Sequence, residues 1–96
     1  MKYIVRFHDN PGMEDQRQAH MSAHLSFLQA QGPVIYGAGP LFENDQGSGG
    51  LWLVEADSAE AVDALVRADP LFATGLRKSW DILEWRQVFR DGRRLI

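Results

Sequence analysis

The residues best suited to chemistry in this sequence are two histidines and an aspartate. The stretch "RQAHMSAHLSFLQAQG", residues 17 to 32, sets His20 and His24 four residues apart on a segment that reads as a helix. At 3.6 residues per turn both imidazoles lie on one face. Two histidines at this spacing are a legitimate metal pair, as in the HExxH pattern. Here the residues between them are "MSA", with no glutamate, and a third ligand would have to come from His8, Asp9 or Asp69. No spacing demands one, so no metal is assigned. The other reading is proton chemistry. Histidine changes charge near neutral pH, so a histidine at the edge of a cavity is a natural general base. Such a base needs an orienting partner on its other ring nitrogen. Asp69 is the best-placed candidate, three or four residues beyond Leu65 and Val66 on the apolar face of a second helix. Plainer readings stay open beside this one. Asp-Pro also ends helices and opens turns. His24 also suits packing at the core boundary, and His20 suits a solvated helix face.

Around this pair, "VIYGAGPLF" at 34 to 42 reads as a strand that bends or bulges at Gly37, Gly39 and Pro40. Those glycines let a ligand approach backbone N–H groups able to bind a developing oxyanion, or they only permit curvature. "GAGPL" is no dinucleotide loop, since the third glycine and the following helix are missing. No cofactor is expected. Arg17 or Arg77 suits a carboxylate or phenolate. Tyr36, Phe27, Phe42, Trp52 and Trp80 suit the walls of an aromatic site, and core packing explains them equally well. The expected ligand-binding set is Arg17, His20, Tyr36, Gly37, Gly39 and Pro40.

The elements that must position these groups follow from periodicity. "KYIVRFH" alternates, with Tyr3, Val5 and Phe7 on one side, and predicts a strand closed by the turn "DNPG". Residues 14 to 31 predict one helix with Met21, Leu25 and Leu28 as its buried stripe, stopped by Gly32 and Pro33. "ENDQGSGG" predicts a flexible loop and "LWLVEA", 51 to 56, a short strand. A second helix is capped by Asp57 or Ser58, buries Val62, Leu65 and Val66, and ends near Asp69 because Pro70 follows. One further turn closes at Gly75. "SWDILEWRQVFR", 79 to 90, predicts a long last strand. The order β-α-β-β-α-β predicts an α+β ferredoxin-like sandwich, an antiparallel sheet with helices on one face.

Ninety-six residues suit a single domain, 1–96, that hides roughly two-thirds of its unfolded surface. The chain is 45% apolar and 24% charged, with a net charge of −3, which argues against gripping a phosphate backbone. The basic "RDGRR" near the end is too short to be a nucleic-acid face. There is no cysteine, which removes thiolate chemistry and disulfides. No long apolar run suggests a leader or a membrane span, and a cytoplasmic protein is expected.

Two helices cover only one side of a sheet. Yet Tyr3, Ile4, Val5, Phe7, Leu51, Trp52, Leu53, Val54, Leu83, Trp85 and Val88 put apolar groups on both sides of several strands. A bare face of that kind exceeds what soluble monomers usually expose. A second copy of the chain is the expected cover, giving a homodimer with sheet packed on sheet.

The ordered set "H..HL..L...G", "GAGPL", a glycine loop and strand, then "SAEAV..L...DP....G" resembles the YCII-related (YciI-like) family over residues 1 to about 90. The resemblance implies a dimeric α/β barrel built from ferredoxin-like subunits. It also implies a His-Asp pair in a cleft, which falls on His24 of "HL" and Asp69 of "ADP". Among similar proteins, one acts as a dehydrochlorinase on a chlorinated hydroxylated aromatic, and related barrels include muconolactone isomerases and cofactor-free monooxygenases. The tail "RDGRRLI" runs past the family pattern. The expected function is a cofactor-independent lyase or isomerase acting on a small, aromatic or lactone, metabolite. The alternative is a non-enzymatic dimeric module that binds a small ligand or a partner protein, with metal or haem binding at His20 and His24 a weaker third.

Overall fold

The computed structural model describes all residues, 1–96. Four strands form one antiparallel sheet in the order β2-β3-β1-β4. They are β1 (Lys2–Asp9), β2 (Ile35–Glu43), β3 (Gln46–Glu55) and β4 (Arg77–Glu84). The helices are α1 (Glu14–Ala19), α2 (Met21–Ala30), α3 (Ala59–Ala68) and the short α4 (Pro70–Ala73). This is the expected α+β sandwich.

The alternation in β1 does what period two requires. Tyr3, Val5 and Phe7 are buried under the helices, and β3 adds Trp52 and Val54 beside them. Val62 and Val66 of α3 close the core from above, with Ile35 at its edge. Phe7 meets Trp52 edge-on at 5.0 Å between ring centroids. Each fully buried side chain of this kind stabilises the fold by roughly 1.5–3 kcal/mol. Ser58 is the N-cap of α3, and its Oγ accepts the Ala61 N–H at 3.1 Å.

Three elements differ from the sequence expectation. The first helix is two, because the chain turns at His20 (φ −104°, ψ 5°). Its inward stripe is also rotated: Leu25 is 55% exposed, and His24 is the buried residue of α2, with Phe27 and Leu28 packed on the core beside it. Apolar residue type pointed to Leu25, but the face is fixed by where α2 sits on Trp52, whose ring stacks with Phe27 at 6.4 Å. The glycine loop is not a loop. β2 and β3 run to a two-residue turn, Asn44-Asp45, with both φ values positive (50° and 63°), the geometry of a tight hairpin.

The last strand is shorter than expected. β4 ends at Glu84, because β1 begins at Lys2 and Trp85 N–H makes the final bond to the Lys2 carbonyl. The chain then forms a separate hairpin, β5 (Phe89–Arg90) and β6 (Arg93–Arg94), about an Asp91-Gly92 turn. The expected bend in β2 is present as register shifts at Ile35/Gly37 and Pro40/Phe42. No helix is long and apolar enough to cross a membrane.

Candidate active site

Asp69 has its place because of Pro70. The residue before a proline is driven out of the helical region, and Asp69 lies at φ −65°, ψ 132°. It therefore ends α3 and caps α4, where Oδ1 accepts the Leu71 N–H at 3.0 Å. The same extended backbone aims the carboxylate at α2. His24 Nδ1–H donates to it, with both carboxylate oxygens at 2.9 Å. Both residues are buried, Asp69 at 3% exposure and His24 at 8%. Nδ1–H donation leaves Nε2 as the ring's free lone pair in the neutral imidazole. Nε2 makes no hydrogen bond and is not sealed in.

A cavity of about 110 Å³ opens beside His24. Its apolar wall includes Met21, Leu28 and Trp52, and its rim includes Gly39 and Pro40 of the bent β2. Two guanidinium groups, Arg17 and Arg77, reach it from the other side. Both are held by Asp9, at the end of β1: Arg77 Nη1 donates to Oδ1 at 3.0 Å and Arg17 Nη2 to Oδ2 at 3.3 Å. The Arg77 side chain is only 4% exposed and lies 3.9 Å over the Phe7 ring. Burial draws its pKa down, and the Asp9 hydrogen bond pushes it back up. Arg17 Nε is the one sealed side-chain nitrogen with no partner. Outside Asp9 and Arg17 a wider groove of about 770 Å³ runs between the β1–α1 turn and the β2–β3 tip.

Of the expected ligand-binding set, Arg17, Gly39 and Pro40 line the cavity with His24, and His20, Tyr36 and Gly37 do not. His20 Nδ1–H is spent on the Gln16 carbonyl at 3.0 Å, at the junction of α1 and α2. Tyr36 lies beneath Lys2, 5.2 Å from ring centroid to Nζ, beyond the register shift that follows Ile35. Burial, then Glu55, raises its phenol. Gly37 serves packing, because a Cβ there would stand 3.1 Å from Leu53 Cδ1. No three His, Asp or Glu side chains gather as a metal-ligand cluster. Asp9 was named in the sequence only as a conceivable metal ligand, and nothing in its spacing marks it as the clamp of two arginines. A second imidazole–carboxylate pair, His8 and Asp81 at 2.9 Å, lies exposed on the open side of the sheet. Proximity alone therefore does not single out His24 and Asp69; burial beside a cavity does.

The YCII-related domain model matches residues 1–86. The chain belongs to this family. Among solved structures, it is similar to the 5-chloro-2-hydroxyhydroquinone dehydrochlorinase of Burkholderia phenoliruptrix AC1100, in complex with 2,5-dihydroxybenzoquinone. The TM-score is 0.78 at 25% identity, covering 90% of this chain and 94% of that one. An Arabidopsis thaliana protein aligns over 94% of this chain and 97% of its own, with a TM-score of 0.49 at 13% identity. No curated protein matches the chain. YCII membership and the first of these structures agree with the ferredoxin-like fold described above.

Proposed function

We propose that this YCII-related protein is a cofactor-independent lyase or isomerase, with His24 as general base and Asp69 as the group that orients it. The observation that carries the proposal is the His24–Asp69 hydrogen bond, 2.9 Å and buried, with Nε2 left free beside a cavity lined by two arginines. In an elimination, Nε2 takes a proton from the substrate. The electron pair of that bond moves into a new π bond, and the leaving group departs with its own bonding pair. Asp69 balances the imidazolium that forms. Arg77 and Arg17 carry N–H donors for negative charge developing on a substrate oxygen. The proton then passes to water.

Charge supports a neutral substrate. The two arginines at the cavity are matched by two carboxylates behind it, Asp9 on the arginines and Asp69 on His24. Size supports a small ring that extends past the cavity toward the outer groove, since a benzene ring takes a cavity of about 150 Å³ and the one beside His24 holds about 110 Å³. The similarity to a dehydrochlorinase of a chlorinated hydroxyhydroquinone supports a halogenated hydroxylated aromatic, with lactones as the isomerase variant. The working form is a homodimer. Ile4, Leu51 and Leu53 form a half-buried strip on the sheet face without helices, and Leu83 beside them is 54% exposed. That strip suits cover by a second copy.

The test is chloride release and product absorbance with halogenated hydroquinones and lactones. His24→Gln is expected to lose roughly 10²–10⁴-fold in kcat while the protein stays folded. Tight ligand retention without turnover by the unmodified protein would instead support the ligand-binding module.

A further inference from the structure

We propose that residues 87–96 form a basic arm that seats in the outer groove of a second copy of this chain. It rests on the sheet-face dimer proposed above and adds a second contact to it. The family match ends at residue 86, so the arm lies beyond the shared domain. Residues 87–96 hold three arginines and one aspartate, a net +2. The preceding 86 residues hold seven Lys or Arg against twelve Asp or Glu, a net −5.

The hairpin is poorly accounted for as a free element. An isolated two-stranded hairpin is marginal in water. Its exposed surface includes, besides the arginines, the apolar side chains Val88 at 50%, Phe89 at 57% and Leu95 at 42%. Arg90 stands directly opposite Arg93 across the ladder. Like charges in that position repel. An acidic surface with an apolar element relieves both defects.

The outer groove is such a surface. Glu14 and Asp45 line it and are exposed, and Phe42, 65% exposed, supplies an apolar wall. Folded as a hairpin, the arm does not extend to its own groove. It leaves the sheet at the Lys2 end, where β1 pairs with Glu55 and Glu84. The groove lies at the Asp9 end, about 23 Å away along the eight residues of β1. A two-fold axis perpendicular to the strands brings the arm end of one copy over the groove end of the other, twice. Each arm then covers the outer approach to the partner's Arg17 and Asp9.

Sedimentation equilibrium tests this with charge reversal. Arg90→Glu with Arg93→Glu, and separately Glu14→Lys with Asp45→Asn, are each expected to raise the dimer Kd about tenfold or more at low salt. Asp45 is changed to Asn because its φ of 63° suits Asn as well as Asp. Combining all four substitutions is expected to restore the Kd to within about threefold, the signature of a direct pair. Arg90→Gln with Arg93→Gln, a milder change, is expected to fall between the unmodified chain and the reversal. Circular dichroism reads folding in every variant. A dimer indifferent to both reversals overturns the arm and leaves the sheet-face dimer standing. Additive loss in the combined variant also overturns it. So does arm-dependent binding to anionic vesicles or RNA with the dimer unchanged. A monomer at 100 μM overturns both the arm and the sheet-face dimer.

Discussion

Replacing Asp69 by Asn separates what this residue does for the fold from what it does for His24. The amide keeps one oxygen, so the Leu71 N–H, now 3.0 Å from Oδ1, retains its acceptor. Asn is also an accepted helix cap. The change falls on the other side. Nδ1 of His24 lies 2.9 Å from both carboxylate oxygens, so the amide offers it the retained oxygen and, at the same distance, an NH₂ in place of Oδ2. The NH₂ hydrogen and the Nδ1 proton repel one another there. The imidazole relieves the conflict by moving its proton to Nε2, which turns the base into a donor. A charge-assisted hydrogen bond is thereby exchanged for a neutral one, a loss of about 1 kcal/mol. In a domain of this size that lowers Tm by about 4–8 °C. Turnover is expected to fall far more, roughly 10²–10⁴-fold. The assay pairs a thermal melt with kcat and with imidazole ¹⁵N shifts, which report the protonated nitrogen. A D69N protein with unchanged kcat, or with Nε2 still unprotonated, refutes the reasoning.

Four further outcomes follow from the packing. Asp69→Ala is expected to cost about 2–4 kcal/mol in denaturant unfolding, because the Leu71 N–H and the His24 Nδ1–H both lose their acceptor in a buried place. Arg77→Met is expected to cost about 3 kcal/mol, because Asp9 is left with only the 3.3 Å contact to Arg17; an unchanged urea midpoint contradicts this. Gly49→Ala is expected to cost about 3 kcal/mol or more, since φ is 83° and a Cβ would stand 1.9 Å from the Phe7 carbonyl oxygen, a backbone atom that cannot step aside. The Arg67 hydrogen bond, then that of Trp80 Nε1–H, holds Asp63 below the usual carboxylate range. A depressed folded pKa gives stability present above the unfolded value and lost as pH falls, so Asp63→Asn is expected to cost less than about 1 kcal/mol at pH 7 and nothing once pH drops well below about 4.

The sequence carried the architecture because period-two strands and the Ser58 and Pro70 punctuation are local signals. It carried the candidate pair for a related reason: the Asp-Pro step forces Asp69 out of the helix, and that bend is what aims its carboxylate at His24. Misread elements were those fixed by partners distant in sequence. Leu25 looked inward by type, yet α2 is oriented by Phe27 on Trp52. "ENDQGSGG" looked flexible by composition, yet Asn44 and Asp45 both adopt the positive φ of a tight turn and β3 starts at Gln46. The long last strand failed because a strand extends only as far as its neighbour, and β1 stops at Lys2. Asp9 was illegible as a clamp for the same reason. Its two arginines lie 8 and 68 residues away, and only the folded sheet brings them together.

The most direct measurement is turnover of the unmodified protein beside His24→Gln, on the halogenated hydroxylated aromatics and lactones of the proposed substrate class. Turnover by the first and a loss of roughly 10² or more in the second are expected, with both melts cooperative. Equal rates in the two proteins, or no turnover of any of these compounds by the folded unmodified chain, contradict the proposed function.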